Sequence, residues 1–187
     1  LMDSTVLIAT GIAVIALALA AWFWWQMHSR QKLKDRFGPE YARAVRDYGT
    51  ESKAVSALGK REERTRQYTI RPLSERERRE FEASWRDTQA RFVDDPRLAA
   101  READALVSRL METRGYPMAD FDHRAEDISV DHPHVVQNYR TAHAIALADG
   151  AGKASTEDLR RALVCYRALF SELLEPQPAA TRREVHA

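Results

Sequence analysis

The sequence predicts an all-α protein in which a single N-terminal transmembrane helix precedes an irregular soluble helical bundle. Three observations carry that expectation. Residues 6–25 form an uncharged apolar run. Beyond it, apolar residues recur at spacings of three and four, the signature of helices with one buried face. No stretch alternates apolar and polar residues between turn residues, as a half-buried strand would.

The first run reads VLIATGIAVIALALAAWFWW. A helix of that length matches a hydrocarbon core of roughly 30 Å. Trp22, Trp24 and Trp25 gather at one end, where interfacial aromatics mark the headgroup level. Arg30, Lys32 and Lys34 follow at once, whereas the short leading flank carries only Asp3. The basic side of a membrane segment stays inside. The expectation is therefore a single-pass inner-membrane protein with its N-terminus outside and its C-terminal domain in the cytoplasm. The basic residues would meet anionic lipid heads or simply set topology. The alternative is a secreted protein after signal-peptide cleavage, since Ala18-Leu19-Ala20 resembles a cleavage site. The missing positive n-region and the length of the apolar run argue against it.

Composition bounds the rest. The chain has 187 residues, with 29 Lys+Arg against 28 Asp+Glu and a net charge of +1. That balance argues against a nucleic-acid binder, which shows a basic excess. Cys165 is the only cysteine, so no disulfide scaffold is possible. The mean hydropathy of −0.52 averages an uncharged segment with a polar remainder. The expected organisation is an anchor over 1–27, a juxtamembrane basic segment and polar helical spacer over 28–72, an all-α domain over 73–175 and a flexible tail over 176–187.

The helices follow in order. The first continues through Lys34 toward Phe37. Gly38-Pro39 interrupts it, and Pro39 opens a short helix ending at Tyr48-Gly49. Thr50 caps a polar helix to about Gln67. An extended link runs to Pro72, because Arg71 precedes a proline. Ser74 and Glu77 form a capping box opening a helix to about Val93, whose inner face is Phe81, Trp85, Thr88 and Phe92. Asp95 caps and Pro96 begins the next helix, which runs to Arg114 and stops at Gly115. A short helix spans about 119–127, and 129–132 reads as a loop. Pro133 starts a helix to about Ala148. Ser155 caps the last, to about Leu174, with Leu159, Leu163, Tyr166, Phe170 and Leu173 as its stripe. Tight turns between helices favour antiparallel neighbours.

Several phrases recur together: RFGPEY at 36–41, RPLS at 71–74, RFVDDP at 91–96, RGYP at 114–117, SVDHP at 129–133 and YRTAH at 139–143. In these the chain resembles a family of uncharacterised bacterial proteins described only as hypothetical, secreted or membrane proteins. The resemblance implies a bacterial origin and carries no activity, cofactor or catalytic residue.

The candidate chemistry is sparse. Acids and histidines cluster over 120–134, and His132, His134 and His143 are the imidazoles that a metal or small ligand would use. Yet no pair has the i,i+4 spacing of a helical metal site. Asp131 suits a helix cap, and His143 lies on the apolar face of Val136 and Tyr139. Asp94-Asp95 with Asp131-His132 would supply paired carboxylates for acid–base work, but Asp95 already suits a helix start. Cys165 reads as a small structural residue. The runs at 60–64 and 75–80 alternate sign and read as solvated helix faces. Phe81, Trp85, Phe92, Tyr139, Tyr166 and Phe170 could wall a porphyrin with His143 as axial ligand, although such a set is ordinarily a helical core. The sequence therefore assigns no catalytic residue, metal or cofactor. It expects a non-enzymatic interaction or scaffold module that meets a protein partner or a second copy. The alternative is a small-ligand or metal-binding sensor around His132, His134 and His143.

Overall fold

The computed structural model describes residues 4–175, and the side chains of all of these except 4–13, 25–27, 29 and 30. The described residues are helical, with no strand among them: α1 (Ser4–Phe37), α2 (Pro39–Tyr48), α3 (Glu51–Thr65), α4 (Glu75–Arg91), α5 (Pro96–Arg114), α6 (Phe121–Asp131), α7 (Val136–Gly150) and α8 (Thr156–Leu174). They fall into two compact units, Leu1–Leu58 and Gly59–Ala187, with the boundary inside α3.

In the first unit one expectation is corrected. Among the described residues, no helix is long and apolar enough to cross a membrane. The uncharged run over residues 6–25 lies within α1. The earlier half of the run, Trp25 and Arg30 lie outside the residues whose side chains are described. Trp22 and Trp24 are exposed, and Lys34 pairs with Glu51 at 3.6 Å while its ammonium lies over the Tyr41 ring. The helix break is as expected. Pro39 occupies the first turn of α2, and Gly49 closes it in the left-handed region.

The second unit is a bundle whose core joins α5, α7 and α8. Leu106, Val107, Leu110 and Met111 of α5 meet Tyr166, Leu169, Phe170 and Leu173 of α8, with Val136, Tyr139 and Ala142 from α7. Trp85 is the contribution of α4, stacked on Phe170 with ring centroids 4.7 Å apart. Burying each large side chain contributes about 1.5–3 kcal/mol relative to exposure. The expected capping box of Ser74 with Glu77 forms, and Ser155, expected as a cap, makes a capping box with Asp158. Glu77 also receives both guanidinium nitrogens of Arg71. Arg71, then the Ser74 donors, hold its carboxyl down at about 2.

Two boundaries differ from the sequence reading. Residues 129–131, read as loop, are the last turn of α6, because Ile128 and Val130 are buried and Ser129 bonds back to the carbonyl of Glu126. Asp131 therefore ends a helix rather than capping one. Correspondingly, α7 starts at Val136 rather than Pro133, after a turn in which Val135 and Val136 both donate to the carbonyl of His132.

Gly115 ends α5 with φ of 95°. A Cβ there would sit 2.5 Å from the backbone oxygen of Thr69. Both the left-handed conformation and the approach of the extended link exclude a side chain. Gly115→Ala should lower stability by at least about 2 kcal/mol. Gly59→Ala, inside α3 with nothing near its would-be Cβ, should raise it by about 0.5–1 kcal/mol. Urea unfolding midpoints measure both, and an unchanged midpoint for Gly115→Ala would show that the link does not constrain this turn.

Candidate functional site

The three histidines singled out by the sequence occupy three different environments. His132 caps the end of α6, is buried, and places Nδ1 3.1 Å from Oε1 of Glu172. His134 is exposed in the turn before α7. His143 is half-buried on α7 and lies flat on Phe121, with centroids 3.6 Å apart. Among the described residues, no group of three or more His, Cys, Asp or Glu is placed to hold a metal ion. The nearby acids have local tasks: Asp120 caps α6 by accepting from His123 N, and its other oxygen meets the His123 ring at 2.7 Å.

The pairing of Asp94-Asp95 with Asp131-His132 does not form either. Asp95 accepts from Leu98 N at the start of α5. Asp131 accepts from the Tyr116 hydroxyl just past the end of α5. The two acids thus serve residues at opposite ends of α5. Cys165 is a free, half-buried thiol, and burial pushes its pKa up, away from the reactive thiolate.

Sequence reasoning missed a charged cluster on the second unit. Arg64 of α3 donates from Nε to Asp127 Oδ1 at 2.8 Å and from an Nη to Glu126 at 3.1 Å. Arg61 reaches Glu126 at 2.9 Å, and the Tyr68 hydroxyl reaches the second oxygen of Asp127 at 3.2 Å. Asp127 is only 2% exposed. A buried carboxylate needs such donors, since losing them leaves an uncompensated charge. Arg61 and Arg64 belong to the sign-alternating run read as a solvated face. Arg66 of the neighbouring turn does make the local pairs expected, with Glu62 and Glu63. The signal that separates them is the acid pair at 126–127, too distant in sequence for a local pattern to register.

Of the aromatic set, Trp85, Tyr139, Tyr166 and Phe170 share one buried core in two settings. Trp85 and Phe170 belong to the α4–α5–α8 core. Tyr139 and Tyr166 face a more polar centre, with Asp104 and Ser108 on α5 and Arg124 on α6 close enough to act on their titration. Arg124 donates to Ser108 Oγ at 3.2 Å. Both phenol oxygens are buried without a hydrogen bond of good geometry. Burial pushes Tyr139 up to about 12 and raises Tyr166 further. His143 sits at the edge of this centre, where burial lowers its pKa, opposed by Asp104 and Asp122 and assisted by Arg124.

Two concave features lie on the same unit. A groove of about 440 Å³ runs along α7 past Arg140, Ala144, Ile145 and Ala148, with Asp158 and Arg161 of α8 on its other wall. A smaller recess of about 100 Å³ lies where α5, α7 and α8 meet near Ala100, Asp149 and Ala162.

Two outcomes follow from the charged groups. Asp127→Asn should cost about 2 kcal/mol, discounted from a fully buried pair because Arg64 keeps some solvent contact. Tyr68→Phe should cost less than about 1.5 kcal/mol. Equal effects in chemical denaturation would contradict a carboxylate-centred cluster. For His143 the folded pKa lies below the ordinary histidine value of about 6.5. The unfolded chain therefore takes up this proton first as pH falls. The histidine's part of the stability is complete above about 6.5 and is lost progressively as pH drops toward the folded pKa. Its NMR titration should have a midpoint below 6.5, moving upward in Phe121→Ala as the ring regains water. A midpoint unmoved by that substitution would remove Phe121 as the source of the shift.

No protein-family model matches this chain, and neither a curated protein nor a solved structure is significantly similar to it.

Proposed function

We propose that the chain is a non-enzymatic helical interaction module whose partner is another protein. The observation that carries this reading is the use to which the chemistry-bearing side chains are put. Asp95, Asp120 and Asp158 bond the first turns of their helices. Glu126 and Asp127 hold Arg61 and Arg64, Asp131 holds Tyr116, and His132 faces Glu172. A catalytic acid or base must be within reach of a reacting atom and available to exchange a proton with it. Here a reacting group would first have to displace the fold's own donors.

The α7–α8 groove supports the reading from the other side. It is a shallow surface feature with an alanine-rich floor and long polar side chains at its rim. That form suits the side of a protein segment better than an enclosed small molecule. Exposed Leu147 on α7 and Val164 on α8 add apolar surface to the same pair of helices.

A photo-crosslinking residue in place of exposed Ala144 tests the proposal against the same residue in place of exposed Arg86 on α4. Irradiation in the native cells should give one recurrent protein adduct from position 144 and none from 86. An adduct with twice the chain's mass would identify the partner as a second copy. Equal adducts at both positions, or none at either, would overturn the assignment of this face.

A further inference from the structure

The outward face of α7 and α8 is charged unevenly, and the imbalance gives the partner a chemistry. Val164 stands exposed on α8. Arg161, on the groove wall, precedes it by three residues, and Arg167 follows it by three. Each lies about one helical turn from Val164, and both are exposed. Among the described residues neither arginine has an ion-pair partner. The acids of the same face already have tasks. Glu157 takes two guanidinium nitrogens of Arg160 at 2.6 and 2.7 Å. Asp158 accepts from the backbone N–H and the hydroxyl of Ser155 at 2.9 and 2.6 Å. Arg161 helps to hold the Asp158 carboxyl down but makes no ion pair with it. With Glu157 and Arg160 cancelling, two cations remain on α8 against one acid bonded at a helix start. Arg140 adds a cation at the opposite rim, where it has contacts of its own.

The shape of the groove selects the form of the occupant. Ala144 and Ala148 lie four residues apart on its floor, and side chains this small let another helix come close. The groove follows α7 from Gln137 to Ala148, about 16 Å or three helical turns at 1.5 Å per residue. The described residues contain no strand, so they offer no sheet edge to an extended segment. An amphipathic helix laid in a groove is the mode left to such a surface. A nucleic acid fits it poorly, because the alanine floor offers phosphates no donor and Asp158 repels them. We infer that the groove binds an acidic amphipathic helix of a partner protein, its apolar side on Ala144, Ile145 and Ala148 and its carboxylates on Arg161 and Arg167.

This inference rests on the interaction reading and adds the charge and form of the partner to it. The full chain carrying the photo-crosslinking residue in place of Ala144 provides the test in the native cells. Digestion and mass spectrometry of the adduct should give a partner peptide of net negative charge, with apolar residues spaced by three and four. Arg161→Glu combined with Arg167→Glu should lower the adduct yield about tenfold or more, and the paired lysine variant should keep it within about threefold. A neutral or basic partner peptide would overturn the inference without any variant, so the test stands even where the glutamate variant fails to fold. A protein adduct of undiminished yield in the folded glutamate variant would overturn it as well, while leaving the interaction reading intact. Equal loss in the lysine variant would show that the partner does not read charge. An adduct removed by nuclease would identify a nucleic acid instead. Absence of any recurrent adduct from position 144 would remove both readings.

Discussion

The second unit is organised around one buried cation. Arg114 is 2% exposed at the last turn of α5. Its guanidinium donates to the carbonyl of Leu173 at 2.9 Å, at the end of α8, and lies 3.4 Å from that of Arg71 in the extended link. The link returns a bond from Arg71 N to the carbonyl of Arg114 at 2.9 Å. A guanidinium suits this place because its donors form a rigid fork and the carbonyl ends of helices carry negative potential. The two neighbours serve the same junction. Gly115 lets Thr69 approach, and Tyr116 reaches Asp131 through its hydroxyl. Three consecutive residues that read in sequence as a helix stop and a turn thus join α5, α6, α8 and the link. A lysine at 114 would keep the charge, but as a point charge without the planar fork that spans two carbonyls.

The second ordering element is the acid pair at the middle of α6. Arg64 and Asp127 are 63 residues apart, and the pair fixes the C-terminal half of α3 against α6 within the same unit. Pairing of this kind changes the meaning of a net charge of +1. Near-neutrality does not imply a uniformly mixed surface. Part of it comes from opposite charges withdrawn from water together, which only a three-dimensional arrangement can reveal. The desolvation cost explains why Tyr68 joins the cluster: the second oxygen of Asp127 also needs a donor.

The local grammar of the chain was largely legible. The capping box at Ser74, the cap at Ser155, the Asp95-Pro96 start and the glycine stops at 49 and 115 depend on neighbours within four residues, and all are where their spacing puts them. The boundary between α6 and α7 was not legible. Ser, Asp, His and Pro at 129–133 all favour turns, yet burial of Ile128 and Val130 holds the helix to Asp131. Tertiary packing outweighed propensity there by a small margin, as a few tenths of a kcal/mol per residue allow. For the candidate sites the division is sharper. Histidine counting placed three imidazoles on one list, and the fold gives each a different neighbour. Residues that converge, such as Asp104, Tyr139 and Tyr166, are spread over three helices without a motif. The apolar run at the N-terminus led to a spanning helix that the described residues do not contain.

Small residues are what the periodicity rules undervalue. Ala99, Ala100 and Ala103 on α5, Ala142 on α7 and Ala162 on α8 are all buried. A hydrophobic stripe counts them as weak core positions, since each contributes little apolar area. Their physical effect is on distance: helices close where a small residue meets a large one, and leave space where small meets small. Ala103 and Ala142 belong to the packed core beside Tyr166 and Tyr139. Ala100, Ala146 and Gly150, with Ala162 of the same core, line a recess beside Asp149 that Leu159 and Tyr166 complete. The same residue type therefore tightens one level of the bundle and opens another. Which of the two occurs depends on the residue opposite, and that residue lies on another helix, beyond the reach of any local pattern.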